Sequence, residues 1–97
     1  MIKRKNIEQI RKMVLPILRR NGVAKAAIFG SHATGMATPS SDVDMLVSFR
    51  GRKSLLDLAG VELELEKVLG RKVDLLTYKS LHPLLRERVM KEEVRIL

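Results

Sequence analysis

Three short apolar runs decide what this chain can fold into: "VAKAAIF" (Val23–Phe29), "DVDMLVSF" (Asp42–Phe49) and "KVDLLTY" (Lys72–Tyr78). Each is short for a helix, carries β-branched or aromatic residues and is bounded by turn-forming residues, which reads as a strand. Around them apolar residues recur at helical spacing. Ile7, Ile10, Val14, Ile17 and Leu18 stripe a first helix, with Asn6 as its cap, Gln9 three residues on, Pro16 bending it late and Asn21-Gly22 ending it. A short helix is expected from Ser31 to about Met36, then loop through Thr38–Ser41. Ser54 and Asp57 form a capping box for a helix striped by Leu58, Val61, Leu65, Val68 and Leu69, with Glu62, Glu64 and Glu66 mostly outside the stripe and Gly70 as its stop. Ser80 caps a last helix that tolerates Pro83 in its first turn and faces inward with Leu81, Leu84, Leu85, Val89 and Val94. This order implies an α/β fold, a small mixed sheet of three or four strands with helices packed against it.

At 97 residues the chain is expected to form one domain, spanning 1–97, with a thin core. The absence of Cys excludes disulfides, thiolate metal sites and a Cys nucleophile. No apolar run approaches the roughly 20 residues that span a bilayer, and no apolar signal segment follows the basic start "MIKRKNIEQIRK". A cytoplasmic location without membrane contact is therefore expected. The formal charge of +8 suits an anionic partner or simply a Lys/Arg-rich surface. With aromatics at 3%, a base-stacking platform is poorly supplied, so direct nucleic-acid binding is not expected.

The chain has four Asp, and three of them, Asp42, Asp44 and Asp74, sit on the short apolar runs. Alternation along a strand puts Asp42 and Asp44 on one face, while Val43, Met45, Val47 and Phe49 pack on the other. If the third strand lies beside the second, Asp74 joins them. Converging carboxylates repel one another and lose hydration, and hard divalent cations such as Mg²⁺ offset both costs. Two such ions can stabilise the attacking and leaving oxygens of a displacement at phosphorus. Taken singly, an Asp-x-Asp after "SS" is ordinary turn chemistry. Gly30-Ser31 follows a strand directly. Gly admits a ligand close to the backbone, and N–H groups with the Ser31 hydroxyl can cradle phosphate; a plain tight turn is the alternative for this pair alone.

In combination these features resemble a known family. "GSHATGMATPSSDVDMLV" is similar to the nucleotidyltransferase signature of the DNA polymerase β superfamily, and "KVDLLT" looks like the strand carrying its third carboxylate. The length and the tail "SLHPLLRERVMKEEVRIL" resemble the minimal nucleotidyltransferase (MNT) group, antitoxin partners of HEPN-domain toxins. The resemblance implies that Gly30 and Ser31 hold the terminal phosphates of ATP. Asp42, Asp44 and Asp74 would bind two Mg²⁺ ions, with Asp74 also helping to activate an acceptor hydroxyl. It further implies transfer of AMP to a tyrosine of a HEPN-type RNase toxin in a toxin–antitoxin system. One departure stands out: Thr34 occupies a position where many relatives carry Arg. Either the site is idle and the chain neutralises its toxin by binding, or Lys25, Arg50 or Arg52 neutralises the triphosphate. His32, beside the cradle, is expected to face solvent. A transferase with another acceptor and a basic nucleic-acid-binding module are the remaining alternatives.

Overall fold

The computed structural model describes residues 2–35 and 42–97. Its elements run α1 (Ile2–Arg20), β1 (Val23–Phe29), α2 (Ser31–Thr34), β2 (Val43–Phe49), α3 (Leu55–Leu69), β3 (Val73–Thr77), α4 (Pro83–Glu92) and β4 (Val94–Arg95). The four strands form one mixed sheet in the order β3-β2-β1-β4, in which β1 is antiparallel to β2 and β4, and β3 is parallel to β2. The α/β class and the three sequence-read strands stand. The loop expected at Thr38–Ser41, and the end of the short helix at Met36, lie outside the described residues.

One face of the sheet carries the main core. Val43, Met45 and Val47 of β2 meet Ala26 and Ile28 of β1 and Val73 and Leu75 of β3, under Val14 and Leu18 of α1 and Val61 and Leu65 of α3. Val14, Leu18, Ile28, Met45 and Leu65 are wholly buried. Each such side chain contributes roughly 1.5–3 kcal/mol relative to leaving it exposed. The opposite face has a much smaller cover, in which Leu46 of β2 packs under Leu81 and Val89 with Phe29 and Tyr78 at the margin.

Several local expectations are corrected. Helix α1 starts at Ile2, so Asn6 lies inside it rather than at its cap. The cap of α4 is His82, whose Nδ1 accepts from the Leu84 N–H at 3.1 Å, with Pro83 at the first helical position; Ser80 instead donates its hydroxyl to the Thr77 carbonyl. Leu84 and Leu85 face solvent, as does Val68 of α3, and Val94 belongs to a strand rather than the last helix. The Ser54–Asp57 capping box is present as read, and Gly70 ends α3 in the left-handed region.

The glutamates of α3 do more than line a wet surface. Strand β3 is a sheet edge, and its outward N–H groups would otherwise lie open to another chain. Glu66 accepts from the Val73 N–H at 3.0 Å and Glu62 from the Leu75 N–H at 2.9 Å. Glu64 reaches α1, accepting from the Asn21 side-chain amide at 3.3 Å and pairing with Arg20. The helix thus packs on the sheet through its leucines and closes the sheet edge through its carboxylates.

Candidate active site

The pairing register brings two of the three predicted carboxylates together. Asp44 of β2 lies directly opposite Asp74 of β3, and on its other side opposite Phe29, the last residue of β1. Asp42 precedes β2 by one residue, is exposed, and lies two positions from Asp44 in the chain, so alternation puts it on the same face. That face bears the thin cover of Leu46, Leu81 and Val89, and the carboxylates stand at its open end.

The turn after β1 is fitted to this arrangement. Gly30 has φ of +73°, and a Cβ built there would run into the Asp44 carboxylate. Only glycine combines that backbone with that proximity. Ser31 opens α2; its side chain lies outside the described residues. Thr34 Oγ1 donates to the Gly30 carbonyl at 3.2 Å, fastening the one-turn helix to the turn before it.

The electrostatics of the pair follow from this packing. Burial first, then the neighbouring Asp74 through repulsion and a shared hydrogen bond, then Asp42, push the Asp44 carboxyl up from 3.8 to about 6. At neutral pH the site therefore holds negative charge that its surroundings oppose. Oxygen donors in that condition suit a hard divalent cation such as Mg²⁺. Asp44 and Asp74 are the side chains that could hold such an ion, and Asp42 lies one residue outside the strand. As they stand, no three carboxylates or imidazoles among the described residues are grouped closely enough to hold one ion together.

The cations proposed to neutralise a triphosphate are elsewhere. Lys25 pairs with Ser48, near the far end of β2, and its ammonium lies 4.3 Å from the Tyr78 ring centroid. Arg50 and Arg52 follow the last residue of β2, also away from Asp44. Arg52 borders a separate concavity of about 680 Å³, with Phe49, Leu55, Leu76 and Tyr78 among its lining residues. None of the three aspartates lines it.

His32 corrects the sequence expectation most sharply. It is 5% exposed rather than solvent-facing, and its Nε2 lies 3.4 Å from Arg71 Nη1. Neither the burial of His32 nor the placement of Arg71 was read from sequence. The available signal was positional: Arg71 precedes Asp74 by three residues, at the entry to the strand that carries it.

Comparison with known proteins agrees with the fold. The nucleotidyltransferase domain family model matches residues 10–96, and the chain belongs to that family. A candidate protein adenylyltransferase of Methanocaldococcus jannaschii is 50% identical over 92 residues, covering 95% of this chain and 99% of that protein. A solved structure described as a candidate minimal nucleotidyltransferase superposes with a TM-score of 0.79 at 39% identity, over 93% of this chain and 92% of that chain. At the level of fold alone, a chain from the solved complex of tri-AMPylated Shewanella oneidensis HEPN toxin with MNT antitoxin superposes with a TM-score of 0.74 at 18% identity. That match covers 93% of this chain and 71% of the other. The chain is thus a nucleotidyltransferase with the minimal nucleotidyltransferase architecture.

Proposed function

We propose that this chain is a Mg²⁺-dependent protein adenylyltransferase that transfers AMP from ATP to a tyrosine hydroxyl of a HEPN-type toxin, acting as the cytoplasmic antitoxin of the pair. The observation that carries this reading is the Asp44–Asp74 register pair, with Asp44 pressed against the glycine turn that follows β1. The names of the relatives above support a protein acceptor, and the tyrosine rests on the family resemblance.

The reaction is a substitution at the α-phosphorus. The acceptor oxygen forms a bond to that phosphorus, the bond to the oxygen bridging the β-phosphate breaks, and pyrophosphate leaves. The acceptor proton must be taken up as the new bond forms. Gly30 and Ser31 hold the terminal phosphates, which fixes the α-phosphorus over β2. Asp42, Asp44 and Asp74 would hold two Mg²⁺ ions, which when bound supply charge neutralisation and acidify the acceptor hydroxyl. Asp74, at the sheet edge beside Asp44, orients that hydroxyl and is placed to receive its proton. The raised Asp44 pKa means that the empty site binds a proton in competition with a cation, so nucleotide binding and turnover should weaken as pH falls below about 6.

Intact mass spectrometry tests the reading. The chain is incubated with a HEPN-type protein, ATP and Mg²⁺, beside the double variant Asp42→Asn/Asp44→Asn. The expected result is AMP-sized additions on the partner with the wild-type chain and none with the variant, on the order of a 10³-fold loss. A stable complex that carries no addition would replace the transferase with an antitoxin acting by binding alone. Transfer to some other hydroxyl would keep the chemistry and change the acceptor.

A further inference from the structure

We propose that Arg71 binds the β- and γ-phosphates of the nucleotide, and that buried His32 is the positioning residue that aims its guanidinium at them. The inference rests on the nucleotide site described above and adds a cation to it.

A triphosphate brings several negative charges to a place already lined by aspartates, so a nearby cation is required. Lys25, Arg50 and Arg52 sit toward the opposite end of β2. Arg86 already donates to the Tyr78 carbonyl and Arg95 to the Leu97 carbonyl. Arg71 differs from all of these. It stands two residues before Val73, which pairs with Val43, so it enters the sheet at the carboxylate end. Its guanidinium meets His32, which follows Gly30 by two residues and lies in the one-turn helix attached to that glycine. Turn, helix and guanidinium therefore converge at one corner of the sheet.

The choice of partner is informative. An Arg held by a carboxylate is both oriented and neutralised. Among the described residues, Arg71 makes no ion pair with a carboxylate. A guanidinium has donors only, so His32 Nε2 accepts in this contact and the imidazole adds no negative charge. Arg71 is thus oriented while its positive charge remains available to an anion. The planar fork suits phosphate oxygens in pairs, which a lysine ammonium does not reproduce. Burial fixes the ring of His32, because a nearly inaccessible side chain in a packed corner has few rotamers open to it.

Calorimetric titration of the full chain with ATP, pyrophosphate and AMP, in the presence of Mg²⁺, tests the assignment. The variants are Arg71→Gln, Arg71→Lys and His32→Ala. Arg71→Gln is expected to weaken ATP and pyrophosphate by about 10- to 100-fold and to leave AMP within about twofold, so that AMP binding reports an intact fold. Arg71→Lys should recover part of the loss. His32→Ala should show the same selectivity for the longer phosphate chain at smaller amplitude, because a positioning residue acts only through the ligand that its partner touches. Equal weakening of ATP and AMP in Arg71→Gln, or unchanged ATP affinity, would overturn the assignment. A wild-type chain with no affinity for ATP would instead overturn the nucleotide site on which it rests, and a wild-type chain that binds ATP separates the two cases.

Discussion

The two faces of the sheet are built by opposite rules. The face under α1 and α3 is closed by interdigitating aliphatic side chains from every strand. Among the described residues, the other face is covered in its middle by Leu46, Leu81 and Val89 and ends in carboxylates that repel each other. Strand β2 serves both: Val43, Met45 and Val47 point into the core, while Asp44 and Leu46 point the other way. The strand is anchored by one set of residues so that the other can be held in an unfavourable arrangement. Stability should therefore reside on one face and activity on the other, and substitutions can break that division or sharpen it.

The largest effect on stability is expected from the core face. Leu65 is wholly buried between α3 and the sheet, and Leu65→Ala should cost about 2–5 kcal/mol in chemical denaturation. ATP affinity of the folded fraction should be unchanged, since Leu65 lies on the face away from the carboxylates. A selective loss of nucleotide binding without loss of stability would break the division of labour.

Gly30→Ala tests the seam between the faces. The new methyl group must occupy the space of the Asp44 carboxylate, and the backbone must stay at a φ that alanine disfavours. A cost of about 1–3 kcal/mol is expected, together with loss of transferase activity from displacement of Asp44. Activity retained at the wild-type level would mean that the turn relaxes without moving the carboxylate.

These positions also mark what the sequence made legible. Strand β1 was bounded correctly because Asn21-Gly22 and Gly30-Ser31 punctuate it at both ends. The Asp44–Asp74 pairing followed from strand alternation once β3 was set beside β2. Strand β4 was missed because two residues after a helical stripe carry no periodicity of their own; what makes them a strand is pairing with Ala27 and Ile28. The bonds from Glu62 and Glu66 to β3 depend on where α3 lies along a sheet edge, which a helical wheel does not contain. Val68, Leu84 and Leu85 fitted apolar stripes but are exposed among the described residues. His32 looked like a surface residue beside a polar turn, and its contact with Arg71 joins positions 39 residues apart, which the local sequence does not contain.

The smallest effect is the most diagnostic, because its sign is opposite to that of a substitution on the core face. The Asp44 carboxyl is raised from 3.8 in the unfolded chain to about 6 in the folded one. Between those values the folded state binds more protons than the unfolded state, so stability falls as pH rises through this window and levels off above it. A fully buried group with this shift would lose about 3 kcal/mol, but Asp44 is only half-buried, and solvent screening reduces the expected penalty to roughly 1 kcal/mol. Asp44→Asn removes the charge and keeps the shape. It should raise stability at pH 7 by about that amount, flatten the pH dependence between 4 and 6, and abolish transfer. Denaturant titrations of the metal-free chain at pH 4, 5, 6 and 7 would measure this directly. A variant that is less stable than wild type at neutral pH would mean that the Asp44 carboxylate holds the fold together rather than being held against its preference for the sake of the site.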